Sequence, residues 1–324
     1  MRLRRERHVF SIPMTTRFRG ITVREGMLFE GPAGWGEFSP FLEYAAAAPW
    51  LQCALEAADD GWPAPIRTSI PVNVTVPAVG PEQAQRIVRS GAGCRTAKVK
   101  VAEPGQVIGE EEARLEAVRD ALGADGRIRV DANGAWSLEQ ALTAIPALEC
   151  AAGGLEYVEQ PCRTVEELAA LRRRVDVPIA ADESIRGAED PYRVRDLDAA
   201  DVAVLKVQPL GGVRACLRIA ADIGMPVVVS SALESSVGIA AGVALAAALP
   251  ELPFACGLAT VQLLTDDVVY DPLLPVAGEL PVVRPRIDPA ALANLRPNDE
   301  RVGVWSSRVA EIEALWTTRQ DRTS

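Results

Sequence analysis

From residue 71 to residue 257 the chain alternates short runs of β-branched and aliphatic residues with longer amphipathic stretches, and this limits the fold more than any other feature. Strands are expected at 72–76, 97–101, 128–131, 155–159, 179–182, 202–207, 226–230 and 254–257. Helices are expected between them at 81–90, 109–122, 138–148, 165–174, 213–223 and 237–249. Strands that alternate with helices make a parallel sheet, because parallel neighbours need a crossover long enough to hold a helix. Eight strands in regular succession suit a closed barrel better than an open sheet, and no Gly-x-Gly-x-x-Gly follows the first to suggest dinucleotide binding.

The flanks read differently. Strands at 8–12 and 21–30, joined by a polar loop from Thr15 to Gly20 that exposes Phe18, lead through a turn at 31–34 into 35–38. An alanine-rich helix is expected within 43–60. After Gly257 the alternation stops, and helices at 289–295 and 304–317 are expected to fold back on the N-terminal unit. The organisation is therefore α/β: a capping region begun by 1–70, a barrel over 71–260, and a return segment over 261–324. With 324 residues, 48% of them hydrophobic, the chain has ample material for one large core.

A formal charge of −10 argues against nucleic acid as a partner, and the basic cluster Arg2, Arg4, Arg5 and Arg7 is short and terminal. Six cysteines without a Cys-x-x-Cys pair read as small buried hydrophobes in a reducing, cytoplasmic setting. No apolar segment follows the basic start as in a signal peptide, and the weakly polar run 237–249 is too short to span a bilayer. The only histidine is His8, so proton chemistry in the barrel would rest on lysine or carboxylate.

In a barrel of this type the chemistry sits where the strands end. Those ends carry Lys98-Val99-Lys100, Asp131-Ala132-Asn133, Glu159-Gln160-Pro161, Asp182-Glu183-Ser184 and Lys206. By the period-two rule Lys98 and Lys100 share a face, as do Asp131 and Asn133. One acid alone reads as a helix cap or an arginine partner. Three on successive strands oppose one another's ionisation unless a cation screens them, and oxygen-only ligation points to Mg²⁺, with Mn²⁺ as a substitute. Two neighbouring ammonium groups are expected to depress each other's pKa, which suits a lysine for general-base work. A base, an opposed cation and a metal together suit proton abstraction beside a carboxylate.

This ordered set, with the later Ser230-Ser231-Ala232-Leu233-Glu234-Ser235-Ser236, resembles the enolase superfamily and within it the muconate-lactonizing subgroup. The resemblance covers nearly the whole chain and implies a modified (β/α)₇β TIM barrel with an α+β capping domain built from both chain ends. The short capping region and the stretches 16–20 and 34–41 look like the o-succinylbenzoate synthase family, which implies dehydration of a cyclohexadiene dicarboxylate, SHCHC, in menaquinone biosynthesis. Carried over, Asp131, Glu159 and Asp182 would ligate Mg²⁺. Lys100 would move the proton, Lys206 would stabilise the enediolate by a cation–π contact, and Lys98 would tune Lys100. Arg17, Phe18 and Arg19 are candidates to close over the dicarboxylate, and Asn133, Ser230 and Ser231 to line its site. Racemisation of an N-acylamino acid or epimerisation of a dipeptide uses the same two lysines. A non-catalytic barrel would have no need of a base.

Overall fold

The computed structural model describes residues 6–18, 20–41, 47–187 and 190–321, with side chains as far as residue 316. The N-terminal sheet is antiparallel, in the order β1 (Arg7–Phe18), β2 (Ile21–Gly31), β3 (Gly34–Phe38). Two further strands, β4 (Ser69–Pro71) and β12 (Glu279–Pro281), pair with each other. Between them in sequence lies the parallel sheet, built from β5 (Val74–Val76), β6 (Thr96–Lys100), β7 (Arg127–Asp131), β8 (Tyr157–Glu159), β9 (Ile179–Ala181), β10 (Val202–Lys206) and β11 (Val227–Ser230). Its spatial order follows the sequence from β5 to β11.

The strand expected at 254–257 is reduced to two parallel bridges, Val72 with Cys256 and Ser230 with Gly257. These join the first strand region to the last, so the barrel closes with little more than a single residue on each side. The approach is tight. A Cβ at Gly257 would lie 2.6 Å from Ser230 Oγ, so any larger residue there would displace that hydroxyl. The expected fifth strand also ends early, because Asp182 turns directly into the short helix Glu183–Arg186.

Helix starts follow from local chemistry. Ser137 and Thr164 form capping boxes with Gln140 and Glu167, and proline occupies the first turn of Ala48–Leu55, Pro81–Arg89 and Pro289–Asn294. The expected 43–60 helix appears as Ala48–Leu55 followed by a π-helical turn, Glu56–Asp60; residues 42–46 lie outside the described residues. The weakly polar run becomes the helix Ser236–Ala248, buried from Ser236 to Ala247 because alanine and glycine let neighbouring backbone approach on every side. No described helix is long and apolar enough to cross a membrane.

Two large apolar cores result, with a smaller cluster of Tyr157, Ala180, Val202, Val204 and Val228 inside the barrel. The larger lies between strands and surrounding helices of the barrel, with Val99, Val130, Val158, Leu205 and Val229 turned outward into it. The second joins Phe10, Ile12, Leu28 and Phe38 of the N-terminal sheet to Leu263, Leu264, Leu292, Trp305 and Val309 from the end of the chain. The last helix, Asp299–Asp321, thus packs on the first strands, with Phe38 edge-on to Trp305 at 5.9 Å. Both ends of the chain build one cap over the barrel.

One expectation about the cap fails. The loop expected from Thr15 to Gly20 is largely strand, since β1 runs to Phe18 with a register shift between Pro13 and Phe18. Strand alternation then separates its side chains: Phe18 is buried and Arg17 is exposed. The aromatic expected to be exposed is an inward wall, because the β1–β2 hairpin reaches over the barrel mouth.

Candidate active site

Residues that alternate away from the outer core point into the barrel. Register places Lys100 beside Asp131 and Asp131 beside Glu159, on β6, β7 and β8 in turn. Asp182 stands one residue past the end of β9, and Lys206 ends β10. The three acids and three lysines therefore meet in one buried layer at the strand ends; the acids are 0–1% exposed and the lysines 5–8%.

That layer is a chain of ion pairs. Lys98 Nζ donates to Asp131 Oδ2 and Glu159 Oε1, each at 2.9 Å. Lys100 Nζ donates to the same Asp131 oxygen at 2.6 Å and to Asn133 Oδ1 at 2.5 Å. Lys206 Nζ donates to Asp182 Oδ2 at 2.6 Å, and Arg186 Nε to Asp182 Oδ1 at 2.8 Å. Asn133 also donates to Glu183 Oε1 at 3.2 Å, so it braces Lys100 and, against expectation, does not line the recess beside this layer.

Burial and charge divide the protonation states. Burial lowers the Lys98 pKa, but Asp131 and Glu159 outweigh it and carry Lys98 well above the usual lysine value. The expectation that both lysines would be depressed is thus corrected, because Lys98 touches two acids at once. Lys100 is lowered: burial dominates, and Lys98 opposes the help that Asp131 gives. Burial would raise Asp131, yet Lys100 and Lys98 hold it well below the carboxylate range. Asp182 is likewise lowered against its burial by Arg186 and Lys206. Glu159 goes the other way, pushed up to about 7 by burial and then by Asp131.

The donor set is chemically right for a hard divalent cation, being all carboxylate on three adjacent strands. Glu159 is raised by burial first and by Asp131 after it, and a cation beside it would oppose both. The acids are not, however, turned toward a common point. Among the described residues no three His, Cys, Asp or Glu side chains are held ready for a metal ion, because Lys98, Lys100 and Lys206 take the inward oxygens. The residues fit the ion in kind and level, and ligation would require the lysine contacts to loosen.

Beside this layer is a recess of about 30 Å³, room for roughly two waters. Phe18, Thr75, Lys98, Lys100, Lys206, Ser230, Ser231, Ala232, Leu233, Gly257 and Thr260 line it. Lys100 and Lys206 reach it from strands separated by β7, β8 and β9, so they face it from opposed sides. Lys100 Nζ lies 5.5 Å from the Phe18 ring centroid. Of the residues expected to bind substrate, Phe18, Ser230 and Ser231 are here. Arg17 is exposed and does not line the recess, and Arg19 lies outside the described residues. Arg17→Ala is accordingly expected to leave KM within about twofold of the parent in steady-state kinetics.

Several contacts at the site are visible only in the structure. Ser231 and Thr260 hydroxyls meet at 2.7 Å, joining the recess wall to the segment after the barrel. Gln160 Oε1 accepts from the Asp182 and Ser184 amides at 2.9 and 3.1 Å, tying the β8 end to the β9 end. Asn133, Gln160 and Leu233 all have left-handed backbone, with φ of 48°, 39° and 66°. Such residues cost on the order of 1–3 kcal/mol each and gather where function holds them. Asn133 and Ser231 are already candidates from the sequence, whereas Thr260 and the left-handed backbone at Gln160 and Leu233 carry no local signal.

A larger cleft of about 380 Å³ shares Thr75 with the recess and is bounded by Thr15 and Thr16 of β1, by Gln83, Arg86 and Ile87 on the helix Pro81–Arg89, and by Gln262 and Leu263.

Two family models match the chain: "Enolase N-terminal domain-like" over residues 9–58 and "Enolase C-terminal domain-like" over residues 81–286. The o-succinylbenzoate synthase of Thermobifida fusca is 63% identical over 309 residues, covering 95% of this chain and 96% of that protein. That of Mycolicibacterium smegmatis is 57% identical over 310 residues, covering 95% of each. Among solved structures, a muconate lactonizing enzyme from Pseudomonas fluorescens superposes with a TM-score of 0.77 at 22% identity, over 90% of this chain and 98% of that one. The L-Ala-D/L-Glu epimerase of Bacillus subtilis does so with 0.74 at 22%, over 88% and 97%. The structural likenesses show the fold, a modified TIM barrel under a capping domain, and the sequence relatives narrow it: the chain belongs to the enolase superfamily and, within it, to the o-succinylbenzoate synthases.

Proposed function

We propose that this chain dehydrates 2-succinyl-6-hydroxy-2,4-cyclohexadiene-1-carboxylate to o-succinylbenzoate. The observation that supports it most is the placement of Lys100 and Lys206 on opposed sides of one recess, above three buried carboxylates, in a chain 63% identical to a synthase of that name. Asp131, Glu159 and Asp182 would hold Mg²⁺, or Mn²⁺ in its place, and when bound such an ion supplies charge against the enediolate oxygens.

The chain's own residues do the rest. Lys100, neutral, takes the proton from the carbon that bears the carboxylate, and the C–H pair moves into the carboxylate to give an enediolate. That pair then returns to the ring as the C–O bond to the hydroxyl breaks. Lys100 hands its proton to the departing oxygen, so water leaves on the side from which the proton came. Burial, which lowers the Lys100 pKa, favours the neutral form the first step requires. Lys206 keeps a cation opposite Lys100 as charge develops. Lys98, held charged between two acids, sets the field in which Lys100 works. Phe18 and Leu233 keep bulk water from the face of the ring. The outer cleft of about 380 Å³ is large enough for the succinyl arm of the substrate. The cytoplasm is the proposed setting; all six cysteines are unpaired, five of them buried.

The same two lysines would serve racemisation, and the identity of the sequence relatives favours dehydration. Incubation with the diene substrate and Mg²⁺ should produce the aromatic absorbance of o-succinylbenzoate; no product with the metal-loaded chain contradicts the reading. Thorough chelation should abolish turnover, with recovery on Mg²⁺ or Mn²⁺, because the ion would supply the charge against the enediolate oxygens. Undiminished turnover after metal stripping would remove the ion from the mechanism.

A further inference from the structure

Where the cap meets the barrel, one guanidinium holds a bent stretch of the recess wall. Arg24, on β2, is 2% exposed. Its Nε donates to the Leu233 carbonyl at 2.7 Å and its Nη2 to that of Ala232 at 3.2 Å. The same Nη2 donates to the Ser39 carbonyl, and the guanidinium lies 4.6 Å over the Phe41 ring. Ala232 and Leu233 both line the recess, and Leu233 carries its left-handed φ of 66° there. For a leucine that conformation costs on the order of 1–2 kcal/mol.

The rest of the segment is gripped from both sides. Glu234 Oε2 accepts from the Ala232 amide at 2.8 Å. Glu37, on β3, accepts from the Ser235 hydroxyl at 2.5 Å and from the Gly238 amide at 3.0 Å, at the start of the helix Ser236–Ala248. Both carboxylates are buried, and Arg24 is the cation that acts on both. The contacts from the cap to this segment span about two hundred residues of sequence, and the arginine meets it through the backbone oxygens of Ala232 and Leu233. A planar fork aimed at consecutive carbonyls reads the path of the chain and is indifferent to its side chains.

We infer that Arg24 is a positioning residue for the reaction: from the cap it fixes the path of Ala232–Leu233 and so the shape of the recess wall against the substrate. The inference rests on the proposed dehydration. Its consequence is that cap and barrel present one preformed surface, so loss of the fork loosens substrate fit without touching the lysines.

The test uses the full chain with Mg²⁺ and three variants: Arg24→Met, Arg24→Lys, and Phe41→Leu, which removes the ring under the guanidinium and keeps an apolar side chain in the cap core. Two readouts are taken, steady-state kinetics and hydrogen exchange of backbone amides. Arg24→Met is expected to raise KM about tenfold, the usual scale for lost charge-assisted hydrogen bonds, with kcat within about threefold. Exchange should quicken at the amides of 232–238 and stay unchanged at β6, β7 and β8. Arg24→Lys should restore part of the KM loss. Should Arg24→Met fail to fold, Phe41→Leu must still move the same amides and KM to a smaller degree. Exchange quickened uniformly over the barrel, with kcat and KM altered together, would reduce Arg24 to a structural group and overturn the inference. Unchanged exchange at 232–238 and unchanged KM would do the same. If the parent chain does not dehydrate the diene, the proposed function fails on its own, while the exchange pattern still decides whether Arg24 holds the wall.

Discussion

Lys100→Ala should reduce dehydration by about 10⁴-fold or more, because in the proposed mechanism one side chain performs both proton transfers and nothing nearby can replace it. Lys98 lies two residues away, yet it is pinned charged between Asp131 and Glu159 and has no lone pair to offer. Lys206 faces the opposite side of the recess and is bonded to Asp182 at 2.6 Å. The fold should survive, since removing Lys100 leaves Asp131 with Lys98 and leaves Asn133 with Glu183. The check is product absorbance with the purified variant, its metal content and thermal unfolding matched to the parent. Because the base must begin neutral, kcat/KM in the parent should fall as pH drops through the Lys100 pKa, which burial places below the ordinary lysine value. Retention of more than about a hundredth of parental turnover in Lys100→Ala would remove Lys100 from the role of base.

The largest loss of stability is expected deeper in the barrel, at Arg129→Ala. Arg129 sits two residues before Asp131 on the same strand face and is fully buried. Its guanidinium is bonded to Glu156, to Asn73 Oδ1 at 3.2 Å and to the Ala255 carbonyl at 2.7 Å. It stacks 4.7 Å over Tyr157 and 5.7 Å from Phe254, and so plugs the barrel interior beneath the catalytic layer. Truncation removes one partner of the half-buried Glu156 carboxylate, strands two acceptors and opens a cavity. The expected cost is about 3–5 kcal/mol, the range for breaking a buried ion pair. Glu156 keeps Arg127 at 2.7 Å, which holds the loss within that range. Arg129→Met, which fills the space, should lose less. Urea unfolding monitored by circular dichroism measures both; equal stability of Arg129→Ala and the parent would show that the plug contributes nothing.

What the sequence made legible is the part governed by period and order. Lys98 and Lys100 share a face because strands alternate, and Asp131, Glu159 and Asp182 meet because consecutive strands lie side by side. Parallel strands fixed only by their own residues come out within a residue or two of expectation, as β6, β7 and β10 do. Local pattern is blind to what depends on distant chain. The closing strand shrinks to two bridges because its partners arrive from residues 72 and 230. Phe18 turns inward only because a hairpin crosses the barrel mouth, and Arg17 turns outward with it. Arg24 and Arg129 look in sequence like any surface arginine on a strand; their burial is decided by carbonyls and rings brought from far along the chain. The lysine–acid pairing was likewise hidden, since composition counts charges and does not say which oxygen each ammonium takes.

The most direct test of the mechanism compares Lys100→Arg with Lys206→Arg, following product formation and solvent deuterium exchange at the carbon bearing the carboxylate. Arginine keeps the charge at either position but cannot act as a base. If Lys100 alone moves the proton, Lys206→Arg retains measurable dehydration, reduced by about 10²–10³-fold at most for a displaced charge. Lys100→Arg should then show neither product nor exchange. Equal loss in the two variants, or deuterium entering the substrate in Lys100→Arg, would contradict a single base at Lys100.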